Sequence, residues 1–203
     1  MRISNEEFNK VLTRKCFGEN IVPKGKAVLT WCDVSSKEAQ EMEKKVVKAY
    51  KEGTWEKYRK ILDKFHGRFM TKQVVLDNTV TRNGREVLAR ILSGDNTYTG
   101  EIKYCELGSA DTASTTGDTA LGDYKYRKQV SSKAYSTYTT YVSTFFTAAE
   151  TTGTYKEIGH YIDGTAAENS GVLFSRIADP ETAELPITKT ATSSLTIDYS
   201  VSL

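Results

Sequence analysis

The chain has 203 residues, with 28 Lys and Arg against 26 Asp and Glu and a formal net charge of +2, enough length for one large domain or two small ones with a buried core. It contains no apolar run of membrane-spanning length, and Met1-Arg2-Ile3-Ser4-Asn5-Glu6-Glu7 is polar, so neither a helical membrane span nor a secretory leader is expected and the protein is read as made and kept in a cytoplasm. Cys16, Cys32 and Cys105 are odd in number, widely spaced and without a C-x-x-C pair, which argues for buried or half-buried thiols rather than a disulfide framework or a zinc site.

Ser4 and Glu7 have capping-box spacing, Phe8, Val11 and Leu12 fall on one face, and Gly18 supplies a stop, which predicts a short first helix. An extended passage follows through Val22-Pro23 and Ala27-Val28-Leu29. Ser35 and Glu38 repeat the capping box, and Ala39, Met42, Val46, Ala49 and Tyr50 make one apolar stripe on a helix from Ser36 to about Glu52. Gly53 closes it. Trp55, Tyr58, Ile61, Leu62 and Phe65 stripe a second helix that is expected to end at Gly67, giving a helical hairpin. Such an aromatic stripe is ordinarily core, but a hairpin this small buries little by itself, so Trp55, Tyr58 and Phe65 are also candidates for a docking face. Gln73 to Val80 reads as a strand, and Asn83 as the cap of a helix through Val87, Leu88, Ile91 and Leu92 that Gly94 terminates.

Composition breaks near residue 103. Nine of the twelve tyrosines and a dense scatter of Thr and Ser lie after it. Seven basic and twelve acidic groups follow the break, against 21 and 14 before it. Opposite net charges suit copies or neighbouring subunits meeting head to tail, although two ordinarily solvated surfaces account for them equally well. From Glu101 the apolar period changes to two: Leu195, Ile197, Tyr199, Val201 and Leu203 alternate with Thr196, Asp198, Ser200 and Ser202. Further strands are expected at Ile102 to Leu107, Tyr124 to Ser131, Tyr135 to Ala148, Tyr155 to Asp163 and Val172 to Ala178, separated by Gly, Ser, Thr, Asp and Pro clusters. Short strands without intervening helices predict an α+β chain: an N-terminal helical region followed by an antiparallel β-sandwich.

The chemistry-bearing residues are sparse. Gly18 to Ala27 fails as a phosphate loop, because Gly25-Lys26 is followed by Ala and the earlier glycine is misplaced. Asp111, Asp118 and Asp123 share a hydroxyl-rich loop but lack the spacing and glycine of an EF-type calcium loop. His66 beside Gly67 reads as a helix C-terminal cap, and His160 becomes a base only if a nucleophile converges on it. The basic helix residues Lys44, Lys45, Lys48, Lys51, Lys57, Arg59, Lys60 and Lys64 are interleaved with Glu41, Glu43, Glu52, Glu56 and Asp63, so nucleic acid is not expected as a partner. Tyr135, Tyr138 and Tyr141 offer rings for sugar stacking or, more simply, for packing between subunits. The expectation is a protein without catalytic residues, cofactor or metal.

One resemblance is visible. Leu107-Gly108-Ser109, Asp118-Thr119-Ala120-Leu121, Arg127-Lys128, Phe145-Phe146-Thr147, Gly153-Thr154-Tyr155-Lys156-Glu157-Ile158-Gly159, Leu173-Phe174-Ser175-Arg176 and Ile187-Thr188-Lys189-Thr190 follow one another in an order and spacing that resembles virion structural proteins of tailed bacteriophages, of the tail-fibre or tail-collar kind. Asn83-Gly84-Arg85 and Leu92-Ser93-Gly94 look like the helix that precedes this module. The resemblance covers about half the chain and leaves the helices before Thr71 unmatched. It implies a helical docking or adaptor region over 1–69 and a β-sandwich module over 70–203. It also implies a non-enzymatic homo-oligomer that is assembled in the host cytoplasm into a virion, contacting other virion proteins in the tail, neck or fibre-attachment region. Recognition of a host-surface carbohydrate, or a place decorating the head, are the alternatives it leaves open.

Overall fold

The computed structural model describes residues 23–178 and 184–202. The predicted helix after Ser4, Cys16 and Leu203 lie outside the described residues. Eleven strands and three helices follow in order: β1 (Lys24–Asp33), α1 (Lys37–Lys51), α2 (Trp55–Phe69), β2 (Met70–Val80), α3 (Arg82–Leu92), β3 (Ile102–Gly108), β4 (Tyr124–Gln129), β5 (Ser132–Ser136), β6 (Thr139–Phe146), β7 (Gly153–Tyr155), β8 (Glu157–Ile162), β9 (Val172–Ile177), β10 (Ile187–Lys189) and β11 (Ser193–Ser202). The α+β class is as expected.

Nine strands form one antiparallel sheet in the order β4-β3-β8-β9-β2-β1-β11-β6-β5, and β10 pairs with β7 beside it. A single sheet therefore stands where two stacked sheets are expected. Its two outermost strands, β4 and β5, are consecutive in sequence and joined by Val130 and Ser131 alone. From Gln129 to Ser132 the chain takes three steps and reaches at most about 10 Å, so the sheet has to curl until its ends nearly meet. Val130 N–H bonds the Lys103 carbonyl at one end and Ser131 N–H the Ser143 carbonyl at the other. The halves are otherwise joined through β2 and β9 by only two residue pairs, Thr79 with Arg176 and Val80 with Ser175.

Curling turns one face inward. Ala27, Leu29 and Trp31 of β1, Leu195, Ile197, Tyr199 and Val201 of β11, and Val142 and Phe146 of β6 meet Ile102, Cys105 and Leu107 of β3, Ile158 and Ile162 of β8, and Phe174 and Ile177 of β9. The two-residue period of β11 is thus met by the predicted buried face. The opposite face of the same strands is also covered. Cys32 of β1 and Phe145 of β6 form a second core with Ala39, Val46 and Ala49 of α1 and Tyr58, Leu62 and Phe65 of α2. Phe65 meets Phe145 edge-on at 6.0 Å between centroids, and Tyr58 shares a 2.8 Å hydrogen bond with Ser143.

β1 comes from within the region read as a helical adaptor, yet it lies between β2 and β11 near the middle of the sheet. The expected division at residues 69/70 therefore coincides with no break in packing. Gly25-Lys26 sits in this strand, paired on both sides, and forms no loop.

Several local details differ from expectation. The cap of α1 is Ser36, whose hydroxyl accepts the Ala39 N–H, while Ser35 bonds Asp33. α2 continues through Gly67 to Phe69, because β2 follows at once and Met70 N–H closes the helix on the His66 carbonyl. Thr81, not Asn83, caps α3 by accepting from Gly84 N–H. Gly84 is required there, since a Cβ would stand 2.7 Å from the Phe174 carbonyl oxygen. The predicted strand from Tyr135 to Ala148 is a hairpin, with Thr137 at φ 56 in its two-residue turn.

Ile197 is fully buried at the centre of the inner core. Ile197→Asp places an uncompensated carboxylate there and is expected to abolish soluble, cooperatively folded protein, as read by circular dichroism and urea melts.

Candidate functional site

Three places merit consideration as sites: a groove outside the sheet, a pocket at the open end of its interior, and the polar residues sealed inside. The groove, of about 650 Å³, runs between α2 and the outer face of β1, β2, β6 and β11. α2 builds one wall through a second stripe beside its apolar one: Trp55, Arg59, Asp63 and His66 recur at three-and-four spacing next to Tyr58, Leu62 and Phe65. Gln73 and Met70 of β2, Tyr141 of β6, and Asp198 and Ser200 of β11 complete it.

The charges in this groove are internally matched. Arg59 donates to Asp198 Oδ2 at 2.7 Å and to Asp63 Oδ1 at 3.0 Å, with its guanidinium 5.7 Å from the Trp55 ring centre. Burial is the largest single influence and opposes the Arg59 charge, but Asp198 and Asp63 act together with the other neighbours to raise its pKa. Asp198 Oδ1 is buried and has no hydrogen-bond partner among the described residues. His66 shares a 2.9 Å hydrogen bond with Thr196, so its ring is tied to β11 rather than to the end of its own helix. Burial is the main cause holding its pKa below the usual range, although Asp198 pulls the other way.

The pocket at the open end holds about 340 Å³ and is walled by inner-face residues such as Ile102, Val142, Phe174 and Val201, with Leu88 of α3 above and Lys133, Glu101 and Tyr135 at the rim. Lys133 is paired with Glu101 there.

Inside, Cys105, His160 and Ser175 are in register across β3, β8 and β9. All three are fully buried. The His160 ring stacks on Tyr199 at 4.2 Å, and neither ring nitrogen has a hydrogen-bond partner among the described residues. Burial drives the His160 pKa down to about 3 and the Cys105 pKa up to about 12, so both groups stay neutral. Their alignment packs the core and presents no nucleophile to a substrate.

The aspartates of the 109–123 loop each have their own cation: Asp111 with Lys156 at 2.6 Å, Asp118 with Arg176 at 2.8 Å, and Asp123 with Lys125 at 2.9 Å. Among the described residues no three acidic, His or Cys side chains converge as a metal site. The loop is held by Glu157, which accepts from the N–H groups of Ala110, Gly122 and Asp123 and pairs with Arg176 inside the protein. A matching clamp joins Glu106 to Arg127 at 2.5 Å, and Arg127 also donates to the Thr165 and Ser170 carbonyls. Lys189, fully buried with its pKa lowered by burial to about 8, donates to the carbonyls of Ala148, Glu150 and Thr151. On the helices, Lys44 pairs with Glu41 and Lys57 with Glu52, which keeps their surface charge-mixed.

Of the six residues singled out as interface candidates, Tyr58 and Phe65 are fully buried between α2 and the sheet and have no surface to offer. Trp55 and Tyr141 are brought together at the groove. Tyr135 and Tyr138 are 84% and 67% exposed on the β5–β6 hairpin. The three tyrosines do not form one patch: Tyr135 opposes Thr140, whereas Tyr141 opposes Ala134, so Tyr135 and Tyr141 point to opposite faces of the hairpin. The groove residues that the sequence reading missed are Met70, Gln73, Asp198 and Ser200, together with the site roles of Arg59, Asp63 and His66. The polar stripe on α2 was the only local signal for any of them. No protein-family model, curated protein or solved structure matches the chain.

Because His160 takes up a proton near pH 6.5 when unfolded and only near pH 3 when folded, its contribution to stability is present above pH 6.5 and is lost as pH falls toward 3. The loss runs at about 1.4 kcal/mol per pH unit. Urea melts between pH 7 and 4 should show His160→Phe losing less stability on acidification than the wild type.

Proposed function

We propose that the chain is a non-enzymatic structural protein of a tailed-bacteriophage virion, acting in multiple copies in the tail, neck or fibre-attachment region. Its curled sheet would take the part of the β-sandwich that the sequence resemblance implies. The observation that carries the reading is the β5–β6 hairpin, an outermost element of the sheet that holds Tyr135 and Tyr138 in solvent. Large rings left exposed beside a strand with one unpaired edge suit an interface between subunits, where they lose water and cover backbone groups that would otherwise pair indiscriminately.

Other features are consistent with a scaffold. The resemblance motifs supply the loop clamps at Glu157–Arg176, Arg127 and Lys189, and these fix loop shape without leaving a reactive group exposed. The thiols of Cys32 and Cys105 are both pushed to about 12 by burial, which suits inert packing.

Light scattering after gel filtration should show assembly of the purified chain into a defined oligomer, and Tyr135→Ser combined with Tyr138→Ser should shift it to monomer with an unchanged thermal midpoint. An unaltered oligomer in that variant would reject the hairpin interface. Mass spectrometry of purified virions tests the wider reading, which fails if the chain is missing from the particles.

A further inference from the structure

We infer that the open end of the sheet's interior is a binding pocket for a small, uncharged apolar molecule. The inference concerns the inside of the sheet and does not depend on subunits meeting at the β5–β6 hairpin.

The sequence withholds volume at this end. Along β6 the inward side chains run from Phe146 through Thr144 and Val142 to Thr140, paired in turn with Leu195, Ile197, Tyr199 and Val201 of β11. Bulk therefore collects in the middle of the curled sheet and thins where the sheet opens. The space left there is about 340 Å³, within the ~300–1,000 Å³ span of small-ligand sites. Close-packed interiors hold few voids larger than a water molecule. An apolar cavity of ~150 Å³ already takes up benzene, so this one admits a body of about two rings. Ile102, Val142, Ile162, Phe174 and Val201 form its walls, with Leu88 of α3 above them.

The rim selects against charge. Lys133 lies on the inner face of β5, opposite Val142, and its ammonium is paired with Glu101. Glu101 is also 3.7 Å from Lys103, which meets Asp163 at 3.1 Å. Two cations and two carboxylates thus satisfy one another around the mouth. A ligand anion or cation has to break one of these pairs, and any charge carried inside is stripped of water against hydrocarbon. A peptide segment fares no better, because its backbone N–H and C=O groups lose water and find no partners along such walls. An uncharged hydrocarbon or aromatic body meets neither penalty, and it removes apolar wall surface from water.

Two dyes with the same ring body make the test: N-phenyl-1-naphthylamine, which is uncharged, and 8-anilinonaphthalene-1-sulfonate, which adds a sulfonate. Titrated into the full chain, the uncharged dye should give a saturable, equimolar rise in fluorescence, and the sulfonate should bind at least tenfold more weakly. In methyl-labelled protein the uncharged dye should shift the Ile102, Ile162 and Val201 resonances and leave Val46 and Leu62 of the helix-covered core in place. Val201→Phe fills the pocket from β11, and Leu88→Trp fills it from the half-buried face of α3. Each should weaken the uncharged dye at least tenfold while the thermal midpoint shows that the protein is folded, and Leu88→Trp alone decides if Val201→Phe does not fold. Absence of saturable binding, a sulfonate that binds as tightly as the uncharged dye, shifts confined to Met70 and Val28 at the outer groove, or affinity that survives filling in folded protein would overturn the assignment.

Discussion

Strands β1, β11 and β6 bury side chains on both of their faces, and this double burial governs the architecture. A single-layer sheet covers only one face, so the chain applies two different solutions at once. The inner face is closed by bending the sheet over on itself, which sets Tyr199 of β11 against His160 of β8 and Phe174 of β9. The outer face is closed by α1 and α2, whose apolar stripes meet Cys32 and Phe145. The helices are therefore part of the sheet's own packing. Neither half of the chain keeps its buried surface if the other is removed, because Phe145 belongs to one sequence region and Tyr58, Leu62 and Phe65 to the other.

The groove follows from the same arrangement. α2 lies over the sheet with one stripe in contact and the adjacent stripe, Trp55, Arg59, Asp63 and His66, slanting away from it. Where the strands carry small or polar outward residues such as Ser200, the helix and sheet do not fill the space between them. The loops obey a different rule: they are too hydroxyl-rich to pack by apolar burial, so buried Glu–Arg pairs hold them. Such pairs contribute little net stability once desolvation is counted, but losing one partner leaves an uncompensated interior charge. Their contribution is to the shape of the 109–123 and 163–171 loops.

Elements governed by local periodicity were legible in the sequence. The stripe of α1, the alternation in β11 and the turn at Gly53, whose φ of 87 suits glycine, all needed only neighbours within a few residues. The α+β class was legible, but the choice between a sandwich and one curled sheet was not, because periodicity reveals which face is buried and says nothing of whether facing strands belong to one sheet or two. That choice was made by the two-residue link at Val130–Ser131 and by the β2–β9 pairing. The 1–69 and 70–203 division came from the resemblance and not from the compositional break near residue 103, and β1 and β2 are hydrogen-bonded across it along most of their length. The groove drew Trp55, Gln73, Tyr141 and Asp198 from four separate elements, so no window of sequence contained it. Gly67, a stop signal by type, was overridden because β2 needed its chain to start at Met70.

The Val130–Ser131 link also bears on how the molecule responds to force. In an open sheet the outermost strands are the ones that peel first, since each is held along one side only. Here the two outermost strands are successive lengths of one chain, so tension that lifts β4 from β3 is passed through two residues to β5 and β6. Peeling becomes a coupled event that has to break two ladders instead of one. A curled sheet with its ends tied in this manner resists being opened like a book.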